Sequence, residues 1–297
     1  MYYLFALITV SIWAGNAVVS KLSTDVIAPG AMSFYRWFFA ILLLTPFCLP
    51  VVIRRWSEIR PWLGKLAALA FLGMALNQSL GYYAAASTSA TNMTLVSALI
   101  PLLSIMFSVP LLAQRLTWNA LVGAVISLSG LVMMLTKGNP LMLVEQGIST
   151  GDALILLASI VYALYCVLLK RWNLTLSTWV AVYMQGAFAL LFLMPMWLMS
   201  GDIAIPTEAW GLIAYASVFA SVIAPWCWMQ AISVLGASRA AMFMNLMPLI
   251  TAGMAAALLN EHLTVYHLFG GGMVLSGVIL AQSRIKLRKR NVVVAGA

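Results

Sequence analysis

Charge is scarce in this chain, and negative charge scarcest: seven Asp and Glu stand against sixteen Lys and Arg among 297 residues. Soluble domains carry about 25% charged residues, whereas here the figure is 8%. No ordinary water-facing surface can be built from so few. Cysteine is nearly absent, with Cys48, Cys166 and Cys227 all inside apolar runs, which excludes a disulfide framework. With only His262 and His267 beside them, no metal-ligand spacing exists, so neither metal nor cofactor is expected. No buried acid/base pair and no nucleophile near a histidine can be found, which argues against an enzyme. No long polar stretch exists either. The net charge of +9 therefore has no solvated domain from which to bind phosphates, and nucleic acid is excluded as a partner.

What the chain has instead is apolar length. Hydrophobic residues make up 64% of it and mean hydropathy is +1.02, so the expected solvent is the lipid bilayer. About 20 apolar residues span a hydrocarbon core. Segments of that kind fall at roughly 2–20, 29–50, 62–84, 88–113, 117–136, 151–170, 177–199, 208–232, 236–259 and 263–283. They are continuously apolar and do not alternate, which excludes a transmembrane β-barrel. The first lacks a basic n-region and runs the full bilayer width, so it is expected to be an uncleaved span.

Lys and Arg set the orientation. With the N-terminus inside, the inner loops hold Arg54, Arg55, Arg60, Lys65, Arg115, Lys170, Arg171 and Arg239. The tail adds Arg284, Lys286, Arg288, Lys289 and Arg290, leaving only Lys21 and Lys137 outside and Arg36 within a span. Both termini are placed in the cytoplasm, which requires an even number of spans. Ten satisfies that.

The sequence also repeats itself. A shift of 147 residues lays Pro101-Leu102 on Pro248-Leu249, and Gln114-Arg115-Leu116-Thr117 on Glu261-His262-Leu263-Thr264. The same shift lays Gly123 on Gly270 and Ser129-Gly130 on Ser276-Gly277; a shift of 149 lays Trp13 on Tyr162 and Lys21 on Lys170. Two five-helix repeats are expected, 1–148 and 149–297, the second ending in the basic tail. Five is odd, so the second repeat enters from the opposite face and the repeats are inverted, an architecture suited to alternating access. Pro101 and Pro248 free backbone carbonyls mid-membrane and are the candidate hinges; packing kinks are the plain alternative.

These residues resemble the EamA-type transporters of the drug/metabolite transporter superfamily. The resemblance rests on Trp13-Ala14-Gly15-Asn16, on Pro29 with Arg36, and on the two Pro-Leu…(Glu/Gln)-x-Leu-Thr…Gly…Gly units. It covers essentially the whole chain. Gln114 departs from the family pattern, which has the glutamate kept at Glu261. The resemblance implies a small-molecule exporter in a bacterial-type inner membrane, multi-pass, and points to spans one, three, four, six, eight and nine as cavity-lining.

Polar groups inside spans are costly and face cavities or helix interfaces. The candidates for substrate contact are Trp13 and Asn16, Arg36, Asn77 with Gln78 and Tyr82, Tyr162 and Tyr165, Trp226 and Gln230, and Asn245. Most pair at helical spacing of three or four, so each pair shares a face. The alternatives are an interfacial belt for the aromatics, interhelical hydrogen bonds for the amides, and an outward-snorkelling end for Arg36. No Asp or Glu lies in the core of any span, so a multidrug cation lacks a counter-charge and proton exchange lacks a carboxyl. An aromatic and amide lining with one arginine suits a zwitterion or neutral amphipathic metabolite. The expectation is export of amino acids or their derivatives by a monomer, the alternative being export of drugs or other toxic organic compounds.

Overall fold

The computed structural model describes residues 2–113, 117–139, 148–201, 204–235 and 243–282. Among them the secondary structure is helical, without strands. Eight helices are long and apolar enough to cross a membrane. They are α1 (Tyr2–Leu22), α2 (Pro29–Arg54), α3 (Trp56–Ala85), α4 (Ala90–Leu112), α5 (Trp118–Leu135), α6 (Thr150–Trp172), α7 (Thr178–Leu198) and α8 (Ala209–Trp228, helical on to Leu235). Two shorter apolar helices follow, α9 (Met247–Leu259) and α10 (Val265–Gln282). The start of the expected ninth segment (236–242, with Arg239), the Gln114–Leu116 turn and the basic tail lie outside the described residues.

Local chemistry sets the boundaries. Pro29 opens α2 in its first turn, where a missing N–H costs nothing. Ser89, Thr117 and Ser149 cap α4, α5 and α6 by accepting from the backbone N–H three residues on. α3 begins earlier than the expected 62: Trp56–Ile59 forms a first turn and Arg60–Trp62 a 3-10 turn. There the Lys65 ammonium lies 4.6 Å from the centre of the Trp62 ring.

Helix limits recur at the sequence interval. α5 and α10 start and stop 147 residues apart, as do Ile100–Leu112 within α4 and Met247–Leu259. Each of the latter two ends on a left-handed residue, Ala113 (φ 50°) and Asn260 (φ 52°). Pro101 and Pro248 both sit in the first turn of those segments, after a break in the helix. α3 and α8 each contain a π-helical stretch, Ala70–Leu76 and Tyr215–Ile223.

Packing is reciprocal as well. α1 packs on α8 and α9 while α6 packs on α3 and α4, and α2 pairs with α7. The tightest pairing is α5 with α10. A Cβ on Gly123 would strike the Gly277 carbonyl, and one on Gly130 would strike that of Gly270. The two helices therefore cross antiparallel. Ser127, at the middle of the crossing, donates to the Val274 carbonyl at 3.0 Å. In lipid there is little hydrophobic drive between helices, so such backbone approach is what holds a pair. The largest buried apolar cluster lies where α2, α3, α7 and α8 meet, around Met32, Trp37, Leu193 and Ile213.

Candidate functional site

Arg36 sits seven residues into α2, about 10 Å from its start at 1.5 Å per residue, and is 6% exposed. Its Nε donates to Ser221 Oγ of α8 at 2.8 Å. Nη1 donates to Asn16 Oδ1 of α1 and to Tyr82 Oη of α3, both at a loose 3.4 Å. All three partners are neutral. Nη2 makes no hydrogen bond among the described residues, and it is not one of the sealed, unpartnered atoms, which are Ser79 Oγ, Gln185 Oε1 and Trp197 Nε1. The guanidinium is thus anchored by its inner nitrogen, with its terminal fork lightly held. That fork matches the two oxygens of a carboxylate.

The π-helical stretch of α8 explains Ser221. Its hydroxyl donates five residues back to the Ala216 carbonyl at 2.8 Å, which leaves its lone pairs for Arg36. π-Helical geometry also loosens the ordinary carbonyl pairing, and α1 closes on the result. Trp13 Nε1 donates to the Ala220 carbonyl at 3.3 Å and Thr9 Oγ1 to that of Ala224 at 3.1 Å. In return Tyr215 Oη donates to the Ile12 carbonyl at 2.9 Å. In bilayer hydrocarbon each unmade bond of this kind is expensive, so these contacts bind α1 to α8 beside the arginine.

The expected residues divide. Asn16, Arg36 and Tyr82 come together. Gln78 joins them at one remove, accepting from Trp37 Nε1 at 3.0 Å, and Trp13 lines the adjoining α1–α8 seam with its ring 5.7 Å from that of Trp228. Tyr162 and Tyr165 stack on each other at 5.3 Å, with Tyr165 lying over Gly73 of α3. Trp226 faces outward, 38% exposed and edge-on to Phe5. Asn77, Gln230 and Asn245 are half-buried, and none of them is a hydrogen-bond partner of Arg36. Gln185, the repeat counterpart of Arg36, keeps to its own helix and donates to the Ala181 carbonyl at 3.1 Å.

Ser221 was not among the candidates, although it holds Arg36 most closely. Its only sequence signal was a pair of hydroxyls, Ser217 and Ser221, four apart inside an apolar run. A second polar cluster lies at the helix ends, where Glu261 and Asp152 fall outside the span cores, though its cross-helix pairing left no signal in the sequence. Glu261 caps α4: Oε1 accepts from the Ala90 N–H at 2.7 Å, and Oε2 from the N–H and hydroxyl of Thr91 at 3.2 and 2.8 Å. Beside it Asp152 accepts from Thr88, Ser149 and Asn92. His267 accepts the Thr264 N–H at Nδ1, which makes Nε2 the donor to Asn92 Oδ1 at 3.1 Å. Together these bonds tie α4, α6 and α10 at one end of the molecule.

Eight helices long and apolar enough to cross a membrane, around a buried arginine with no acid partner among the described residues, define a membrane protein. The EamA-like transporter family matches residues 1–136 and 149–282, and the chain belongs to that family. It is a transporter and not an enzyme. Similar proteins include an uncharacterized transporter, YyaM, of Bacillus subtilis, 26% identical over 92% of this chain and 90% of its own length. A probable terminal-alkyne amino-acid exporter of Streptantibioticus cattleyicolor is 24% identical over 95% and 94%. An S-adenosylmethionine uptake transporter of Rickettsia prowazekii is 30% identical, over 45% and 44% only. A crystal structure covering 94% of this chain and 96% of its own superposes with a TM-score of 0.65 at 16% identity, a likeness of fold alone.

Proposed function

We propose that the chain is an inner-membrane exporter of small carboxylated metabolites, amino acids or their derivatives, working by alternating access. Its ten spans form two inverted five-helix repeats, 1–148 and 149–297, with both termini in the cytoplasm. The reciprocal packing of α5 on α10, and of α1 and α6 on their partners, supports the inverted arrangement. One observation carries the substrate reading: a buried guanidinium whose partners among the described residues are all neutral, and whose terminal fork has a nitrogen with no hydrogen bond to them. A charge in a helix centre costs about 2.5–3.5 kcal/mol on insertion scales, so an arginine without a counter-ion is retained for something that arrives. In this reading Arg36 grips the carboxylate, with Asn16, Tyr82 and Ser221 fixing its orientation. Trp13, Gln78, Tyr162 and Tyr165 form the wall, and the breaks before Pro101 and Pro248 are the hinges. Asn77, Trp226, Gln230 and Asn245 are peripheral. The probable terminal-alkyne amino-acid exporter among the relatives supports this substrate and direction, while the S-adenosylmethionine transporter is an uptake protein.

The test is counterflow in proteoliposomes against amino acids, nucleosides, sugars and cationic dyes, with wild type and Arg36→Gln side by side. Carboxylated substrates should exchange and be lost in a monodisperse Arg36→Gln. Full transport by that variant rejects the binding role. Exchange of dyes alone would select the drug-export alternative.

A further inference from the structure

The molecule is strongly polar from end to end. Asp25 and Glu261 share one pocket with Lys21, and Asp152 lies against Thr88 of the same α3–α4 turn. Glu208 belongs to this end too, since the α7–α8 connection meets the start of α2, where Gly30 packs on Met196 and Ser200. Lys137 is also here, because Gly138 packs on Tyr266 beside Thr264. Among the described residues four acids thus share this end with two lysines. The far ends of α2 and α6 and the start of α3 carry Arg54, Arg55, Arg60, Lys65, Lys170 and Arg171, with Glu58 as the one acid among the described residues. The positive-inside rule accounts for the bases but not for the acids, which carry little topological information. Helix N-termini hold three of the acids, Glu261 at α4, Asp152 at α6 and Glu208 before α8, and leave this end net negative among the described residues. Between the two ends stands Arg36, without a carboxylate partner among the described residues.

We infer that the transported species is a net anion, an organic monocarboxylate whose amino group is absent or blocked, and that the membrane potential drives it out. The inference rests on the Arg36 reading above and narrows its substrate class. A zwitterion would bring its ammonium into the field of Arg36 with no acid among the site's described residues to receive it, and like-charge juxtaposition is strongly disfavoured away from water. An anion leaves the occupied site neutral. The basic end raises the local anion concentration at entry and the acidic end discourages rebinding after release. No proton is needed: one negative charge leaving an inside-negative cell gains about 2.3 kcal/mol per 100 mV, which is a gradient of about fifty-fold.

Liposomes holding the purified protein, clamped at about 100 mV inside-positive with valinomycin and potassium, would be given alanine, methionine and phenylalanine, each as free amino acid, N-acetyl derivative and amide. The N-acetyl anions should enter roughly tenfold faster than the zwitterions and accumulate toward about fifty-fold, and Arg36→Gln should abolish this. Zwitterions entering as fast as anions, insensitive to potential yet still lost in Arg36→Gln, would overturn the charge inference and leave the binding reading standing. Entry of the anions undiminished in Arg36→Gln, or no carboxylate entering above protein-free liposomes, overturns both.

Discussion

Replacing Glu261 separates architecture from coupling. Its carboxylate gathers three donors at the start of α4, the Ala90 and Thr91 N–H groups and the Thr91 hydroxyl, at 2.7, 3.2 and 2.8 Å. Two of these are backbone groups that an α-helix leaves unpaired in its first turn. Losing a cap of this kind costs about 0.5–2 kcal/mol, and the negative charge at the helix N-terminus adds about 0.3–1 kcal/mol. Glu261→Ala should therefore lower stability by about 1–3 kcal/mol. Glu261→Gln keeps one accepting oxygen but turns an NH2 toward donors, and should cost about 1–2 kcal/mol, from the same two terms. The assay is SDS or thermal unfolding in detergent, paired with counterflow normalised to folded protein. Both variants should unfold earlier and transport normally per folded molecule. A Glu261→Gln protein of wild-type stability that no longer transports would refute the capping account and make the carboxylate part of the transport cycle.

Gly277→Ala places a methyl against Ser127 and the Gly123 carbonyl; overpacking of this kind costs about 1–3 kcal/mol, so the variant should melt earlier than Gly272→Ala, whose added Cβ meets open space. Equal melting of the two would mean that α5 and α10 do not cross at that glycine. Reporters fused after Arg290 and within the Arg54–Lys65 loop should both read cytoplasm; a tail reporter found outside breaks the ten-span reading. Transport should run down a substrate gradient without an imposed pH gradient, and strict dependence on one would identify a titrating group, with His267 the first to replace.

Much of this was legible because it depends on patterns that one chain carries in full. Apolar length gave the helices, and the 147-residue interval gave α5 and α10 their matching limits, because glycine and proline are placed by backbone approach and helix breaks and so survive in register. Arg36 was legible as an anomaly of charge. What holds Arg36 was not. Serine is ordinary in membrane helices, and nothing in the string Tyr-Ala-Ser-Val-Phe-Ala-Ser-Val-Ile says that it will coil with π geometry and bring Ser221 to the guanidinium. Trp226 is the converse case. Its spacing to Gln230 put both on one face of α8, but periodicity cannot say whether that face looks inward, and the ring is found on the rim against Phe5. Pairs joined across helices, such as Trp37 with Gln78 or Asn92 with His267, leave no trace in spacing at all.

The π-helical stretch of α3, Ala70–Leu76, sets the rotational phase of everything after it. Each residue of an α-helix turns the chain by about 100° (3.6 residues per turn). A π turn holds one residue more than the α turn it replaces, so it acts as a phase shifter built into the helix. Take one residue out of this stretch and the turn closes as an ordinary α turn, leaving Gln78 and Tyr82 opposite Trp37 and Arg36. The α-helical turn between Gln78 and Tyr82 has no such reserve, and losing Ser79 or Leu80 swings Tyr82 about a quarter turn away from Gln78. Single deletions within Ala70–Leu76 should therefore be better tolerated than deletions of Ser79 or Leu80. A deletion scan from Ala70 to Leu80, read by substrate exchange in correctly inserted protein, measures that difference directly; equal loss at both places would show that the phase is set elsewhere.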